Sequence, residues 1–129
     1  MKPVMYIFVN KGLKMSTGKV ASQVAHASLL AGVNSKKSLL KSWNQGGHYP
    51  KLIMQCRDTE HMEQVQHYIQ DRGFQTFRII DEGLTEIEPF SFTAFGVVLV
   101  DKDKEHVLKT FSSFELYKET FFEKLQRLF

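Results

Sequence analysis

A single cysteine, Cys56, excludes an internal disulfide framework, so the fold has to rest on its hydrophobic core. It closes the apolar run LIMQC with no basic partner recognisable beside it, the setting of an inert structural thiol. No apolar run approaches the roughly 18 residues of a membrane span, and VMYIFV near the N-terminus is too short for a signal peptide. A soluble, cytosolic protein is expected. No repeat, low-complexity tract or linker interrupts the chain, and 129 residues suffice for one domain that buries roughly two-thirds of its unfolded surface.

The most informative absence concerns charge. Residues 1–57 hold nine basic side chains and no acidic one, whereas residues 58–129 hold eight basic and fourteen acidic. The halves carry +9 and −6, which leaves the net +3. Such a split suggests a positive face for a polyanion, unless the fold sets the two halves against each other.

What is present alternates between strand and helix patterns. Val4 to Val9 reads as a strand buried on both faces, and a basic loop leads from it to a helix capped by Ser16 or Thr17 and stopped at Gly32. Val20, Val24, Ala27 and Ala31 form its core stripe. Ala21, Ala25 and Ser28 form a small-residue stripe expected to let the helix lie close to a sheet. A short helix over Ser38–Asn44, a strand over Lys51–Cys56, a helix over Thr59–Asp71 and a strand over Phe74–Ile80 follow. After the Asp81–Phe90 loop come a long strand, Phe92–Val100, a helix from Lys104 to about Phe114, and an apolar helical tail. The expected fold is α/β, a three-layer α/β/α sandwich with a four-stranded mixed sheet. Sites in such folds sit at strand carboxyl ends. If the first and third strands are parallel, the Asn10–Lys19 and Asp81–Phe90 loops meet at one edge.

Lys11, Lys14 and Lys19 would then surround a helix N-terminus, a natural anion site. The loop is not a Walker A motif. Five residues separate Gly12 from Gly18, and Val20 stands where a magnesium-binding hydroxyl is required. Ser16-Thr17-Gly18-Lys19 spells S-x-x-K, but its companion motifs S-D-N and K-T-G are absent. The five histidines lack metal-binding spacing, so metal catalysis is not expected. His26 reads either as a hydrogen-bonding residue or as a catalyst. Asp81 is a turn or cap aspartate, or a group that orients a water beside a lysine.

Several of these residues together resemble the archaeal and eukaryotic (type 2) peptidyl-tRNA hydrolases. The loop Lys14-Met15-Ser16-Thr17-Gly18-Lys19 and the helix Ala21-Ser22-Gln23-Val24-Ala25-His26-Ala27 match the family's K-M-x-x-G-K and A-x-Q-x-A-H-A patterns. Trp43, Gly46-Gly47 and Lys51 follow in order, and Asp81 to Thr93 matches D-A-G-x-T-Q-I-x-P-G-S-x-T. The resemblance spans roughly Pro3 to Tyr117 and implies hydrolysis of the peptidyl-tRNA ester without metal or organic cofactor. It places the functional groups on Lys19, Asp81, Thr85 and Thr93, supported by His26 and Gln23, with Lys11, Lys14 and Lys51 as further contacts for the substrate. Glu82, Glu86 and Phe90 depart from the family pattern and make the loop bulkier and more acidic. The alternative is a catalytically weak homologue that binds RNA or protein. A peptidyl-tRNA hydrolase-like domain is thus expected over 1–118, with an extra helical tail over 119–129 that packs on the domain or on a second copy as a homodimer.

Overall fold

The computed structural model describes residues 1–83 and 87–128. Strand β1 (Pro3–Asn10) is buried along nearly its whole length, as expected of an apolar run with no polar alternation. A short 3-10 turn over Lys11–Leu13 leads to α1 (Thr17–Val33), then α2 (Lys37–Gly46), β2 (Lys51–Cys56), α3 (Thr59–Asp71) and β3 (Thr76–Ile80). β4 (Phe92–Val97), β5 (Val100–Asp101), α4 (Glu105–Phe111) and α5 (Phe121–Arg127) complete the chain.

The sheet runs β2-β1-β4-β3, with β5 pairing the start of β1. β1 is parallel to β2 and antiparallel to β4, and β3 is antiparallel to β4. β1 and β3 therefore run the same way, and their carboxyl ends share one edge. The expected long fourth strand is instead broken after Val97. Val100 turns to pair with Val4, and Leu99 donates its N–H to Ser35 Oγ at 2.8 Å.

Side chains alternate along β1 to two cores. Val4, Tyr6 and Phe8 face α3 and α4, and Tyr6 stacks on Phe111 at 4.1 Å. Met5 and Ile7 face α1 and α2, where Ala27, Ala31 and Trp43 are buried. This is the three-layer α/β/α sandwich, with a two-residue fifth strand added.

Two features of α1 differ from the sequence expectation. The helix runs through Gly32 to Val33 and ends at Asn34; Gly32 is buried, and a Cβ there would lie an ordinary 3.8 Å from Met5 Cε. The stripe of Ala21, Ala25 and Ser28 does not meet the sheet. It lines a shallow outer groove with Leu29, Leu40 and Trp43. The close approach is made by Ala27 and Ala31 over Gly96 of β4, where an added Cβ would lie 2.7 Å from the Ala27 carbonyl oxygen.

Candidate active site

The first turn of α1 is built by its cap. Ser16 Oγ accepts the Lys19 N–H at 3.2 Å, and no acidic residue occupies this turn, so the helix N-terminus keeps its positive character. From this turn the Lys19 side chain reaches the carboxylate of Asp81, the residue after β3. Both are largely buried, at 11% and 7% side-chain exposure. Asp81 is fixed from three further directions. Its Oδ2 accepts the Gly83 N–H at 2.6 Å, its own N–H donates to Ser91 O at 3.0 Å, and its carbonyl accepts the Phe90 N–H at 2.6 Å.

Gly83 has φ +77°, and a Cβ there would lie 2.6 Å from Pro89 Cα, so only glycine allows the loop to fold this tightly. The Lys19 hydrogen bond holds the Asp81 carboxyl below the usual carboxylate range; burial opposes it and the Gly83 N–H assists.

Thr93 enters the site through a bulge. Ile80 pairs with Phe92 and Ile79 with Ala94, so Thr93 is the extra residue. Phe92 consequently faces α3 while Thr93 and Ala94 both face α1. The Thr93 hydroxyl is fully buried, 2.7 Å from Gln23 Oε1 and 3.1 Å from the Ile79 carbonyl. Gln23, itself buried on the turn after Lys19, thereby locks α1 to the strand end that carries Asp81.

The structure thus unites Lys19, Asp81, Gln23 and Thr93 at one edge. Thr85 lies outside the described residues, as does Glu86. His26 is exposed on α1, with Nε2 3.4 Å from Ser22 Oγ. Lys14 is exposed with φ +52° at the end of the 3-10 turn. Lys11 is engaged by the C-terminal segment: Nζ donates to Lys118 O at 2.6 Å, pairs with Glu123 at 3.1 Å and lies over the Tyr117 ring. Between this segment and the basic loop is a cavity of about 1090 Å³ whose lining includes Lys14, Met15, Arg57, Tyr117 and Phe122.

Lys51 begins β2 opposite Met5, five residues before the Asn10–Cys56 pair and so roughly 16 Å along the strand from the edge that carries Lys19 and Asp81. Its ammonium lies 4.9 Å from the Trp43 ring centroid and donates to Tyr49 O at 2.9 Å, and burial lowers its pKa. Cys56 is buried and its thiol is pushed up to about 12, chiefly by burial, which keeps it neutral.

One residue the sequence reading passed over is Asn10. It is fully buried, donates from Nδ2 to Thr59 Oγ1 and to Phe92 O, both at 3.0 Å, and accepts the Gly12 N–H. A polar side chain ending an otherwise apolar strand was the available signal. It ties the basic loop to β4 one residue before Thr93.

A buried lysine and carboxylate, held at the shared ends of two parallel strands beside the positive N-terminus of α1, are suited to polar chemistry on an anionic substrate. Residues 3–117 match the sequence pattern of the family peptidyl-tRNA hydrolase PTH2, and the chain belongs to that family. It is similar to a peptidyl-tRNA hydrolase of Methanopyrus kandleri, 39% identical over 93 residues that cover 70% of this chain and 79% of the relative. A peptidyl-tRNA hydrolase of Thermoplasma acidophilum is 28% identical over 103 residues, covering 78% and 87%. The mitochondrial peptidyl-tRNA hydrolase 2 of Mus musculus is 33% identical over 96 residues, covering 72% of this chain and 52% of the mouse protein.

Proposed function

We propose that this protein hydrolyses the ester bond between a peptide and the 3′-terminal ribose of its tRNA, with Lys19 and Asp81 at the reacting centre. The observation that carries the reading is their pairing in a buried setting at the sheet edge, within a chain of this family.

In this reading Asp81 holds the attacking water, which adds its oxygen to the ester carbonyl. A carboxyl held below its usual range is a weak base in the ground state, so orientation is its first contribution. The proton lost by the water passes through Asp81 to the departing ribose oxygen as the C–O bond breaks. Lys19 stabilises the negative charge that develops on the carbonyl oxygen, or a neighbouring phosphate, by exchanging its carboxylate partner for a substrate oxygen. The buried Gln23–Thr93 hydrogen bond keeps α1 and the β3 end in register, so Thr93 acts through Gln23 as a positioning residue. Lys14, exposed in the basic loop, would meet backbone phosphates without reading sequence.

The test is peptide release from purified peptidyl-tRNA. Wild type should release peptide and free tRNA; Lys19→Ala should lose about 10²-fold or more in kcat/KM. A wild-type protein that binds tRNA but releases nothing would refute the reading.

A further inference from the structure

The loop that presents Asp81 also presents a largely exposed aromatic ring. Phe90 is 79% exposed, among the most exposed large apolar side chains of the described residues, and its backbone has φ +63°. Both features are unfavourable for a phenylalanine: the ring gains nothing by burial, and left-handed backbone strains a residue that carries a Cβ. Its place is nevertheless fixed, because its N–H donates to the Asp81 carbonyl at 2.6 Å, and the Ser91 carbonyl next along accepts the Asp81 N–H. Phe90 is therefore paired through its backbone, across the loop, with the residue that carries the carboxylate.

We infer that Phe90 is a stacking platform for the 3′-terminal base of the tRNA, a binding residue for the ester substrate under the hydrolase reading given above. The chemistry of that substrate leads here. The ester hangs on the terminal ribose, so the base of that same nucleotide lies only a few bonds from the reacting carbonyl and must come to rest beside Asp81. The terminal base is unpaired, which leaves its π-face open to an aromatic ring. It is also the same adenine in every tRNA, whereas the peptide differs from substrate to substrate. A fixed ring suits the fixed partner.

Two measurements test this. In steady-state hydrolysis, Phe90→Ala and Phe90→Gly should raise KM by about 5- to 150-fold with kcat retained, the range expected for losing one base–aromatic stack. Phe90→Tyr should keep the wild-type KM. Because glycine relieves the left-handed backbone, Phe90→Gly should melt no lower than wild type, so that a raised KM cannot be assigned to unfolding.

The second measurement needs no turnover. Trp43 is buried, so Phe90→Trp introduces an exposed fluorophore that the oligonucleotide ACCA should quench, while the same oligonucleotide ending in an abasic ribose should not. An unchanged KM in both the alanine and glycine variants, or equal quenching by the abasic oligonucleotide, overturns the inference. A KM effect that appears only with peptides carrying aromatic side chains overturns it in favour of a peptide contact. If wild type releases no peptide, the hydrolase reading falls, and the quenching decides the stack on its own.

Discussion

Two lysines from the same basic stretch end in carboxylate pairs of different character. Lys19 meets Asp81 with both side chains about nine-tenths buried, whereas Lys11 meets Glu123 with the carboxylate 39% exposed. The first pair joins α1 to the end of β3, inside a frame made by the Ser16 cap, the Gly83 turn and the Gln23–Thr93 bond. The second joins the basic loop to α5, whose Phe121 and Phe122 are exposed. Water competes for an exposed pair and salt screens it, so its net contribution is small. A buried pair is shielded from both, and only a ligand that brings its own charge or dipole can replace one partner. The same residue types thus form a buried pair, the reaction centre under the proposed function, in one place and an exposed, exchangeable latch in the other.

The comparison breaks most visibly at Asp81. Asp81→Asn keeps the shape and removes the charge, and kcat/KM for peptide release should fall by about 10² to 10⁴-fold, the usual contribution of a positioned acid–base group. Lys11→Ala, by contrast, should leave kcat intact, because the Lys11 ammonium is held by Glu123 and Lys118 away from that carboxylate.

The pH profile sharpens the same contrast. Lys19 holds the Asp81 carboxyl below its ordinary value, so the charged form, and the stabilisation it brings, is fully present above about pH 4, near the unfolded value, and is lost only as pH falls through the lower folded value. From about pH 5 to 8 kcat/KM should show no acid limb from Asp81. An acid limb that persists in Asp81→Asn would belong to another group.

A middle-sized effect is expected at Thr93, which belongs to the frame of the first pair and has no counterpart at the second. Thr93→Val strips the hydroxyl from buried Gln23 Oε1 and should cost about 1–3 kcal/mol in denaturant unfolding, the desolvation penalty of an orphaned acceptor. Peptide release should slow as well, because α1 is no longer pinned to the strand that ends at Asp81.

How much of this could be read beforehand follows the range of the forces involved. β1 was legible because VMYIFV is apolar on both faces, and the Ser16 cap because its hydrogen bond spans three residues. The meeting of Lys19 with Asp81 followed from strand direction once β1 and β3 were taken as parallel. Gly32 does not stop α1 as its residue type suggests: it is buried inside the last turn, and the helix ends only at Asn34. The bulge at Thr93 is a property of two strands together and leaves no mark in either alone. The break after Val97 follows from pairing with the opposite end of the chain. Lys51 was grouped with the site lysines by order along the chain, but the register of β2 against β1 sets it at the other end of the sheet. The latch escaped for the same reason: Lys11 and Glu123 are 112 residues apart.

That latch gives the smallest and most specific prediction. Glu123 is kept ionised at neutral pH, its carboxyl held below the usual range first by the Lys11 hydrogen bond and then with help from Thr120. An RNA phosphate would have to displace it before Lys11 could neutralise that phosphate, so the intact latch hides one cation from the counterion count. Glu123→Gln keeps the Thr120 cap geometry within reach but removes the charge that holds Lys11. Binding of tRNA at low salt should tighten slightly, and the plot of log affinity against log salt should steepen by about 0.7–0.9, the increment for one additional phosphate contact. Lys11→Ala combined with Glu123→Gln should return the slope to its original value. A slope indifferent to Glu123 would mean that Lys11 reaches the phosphate with the latch closed, and the distinction drawn between the two lysine pairs would then rest on burial alone.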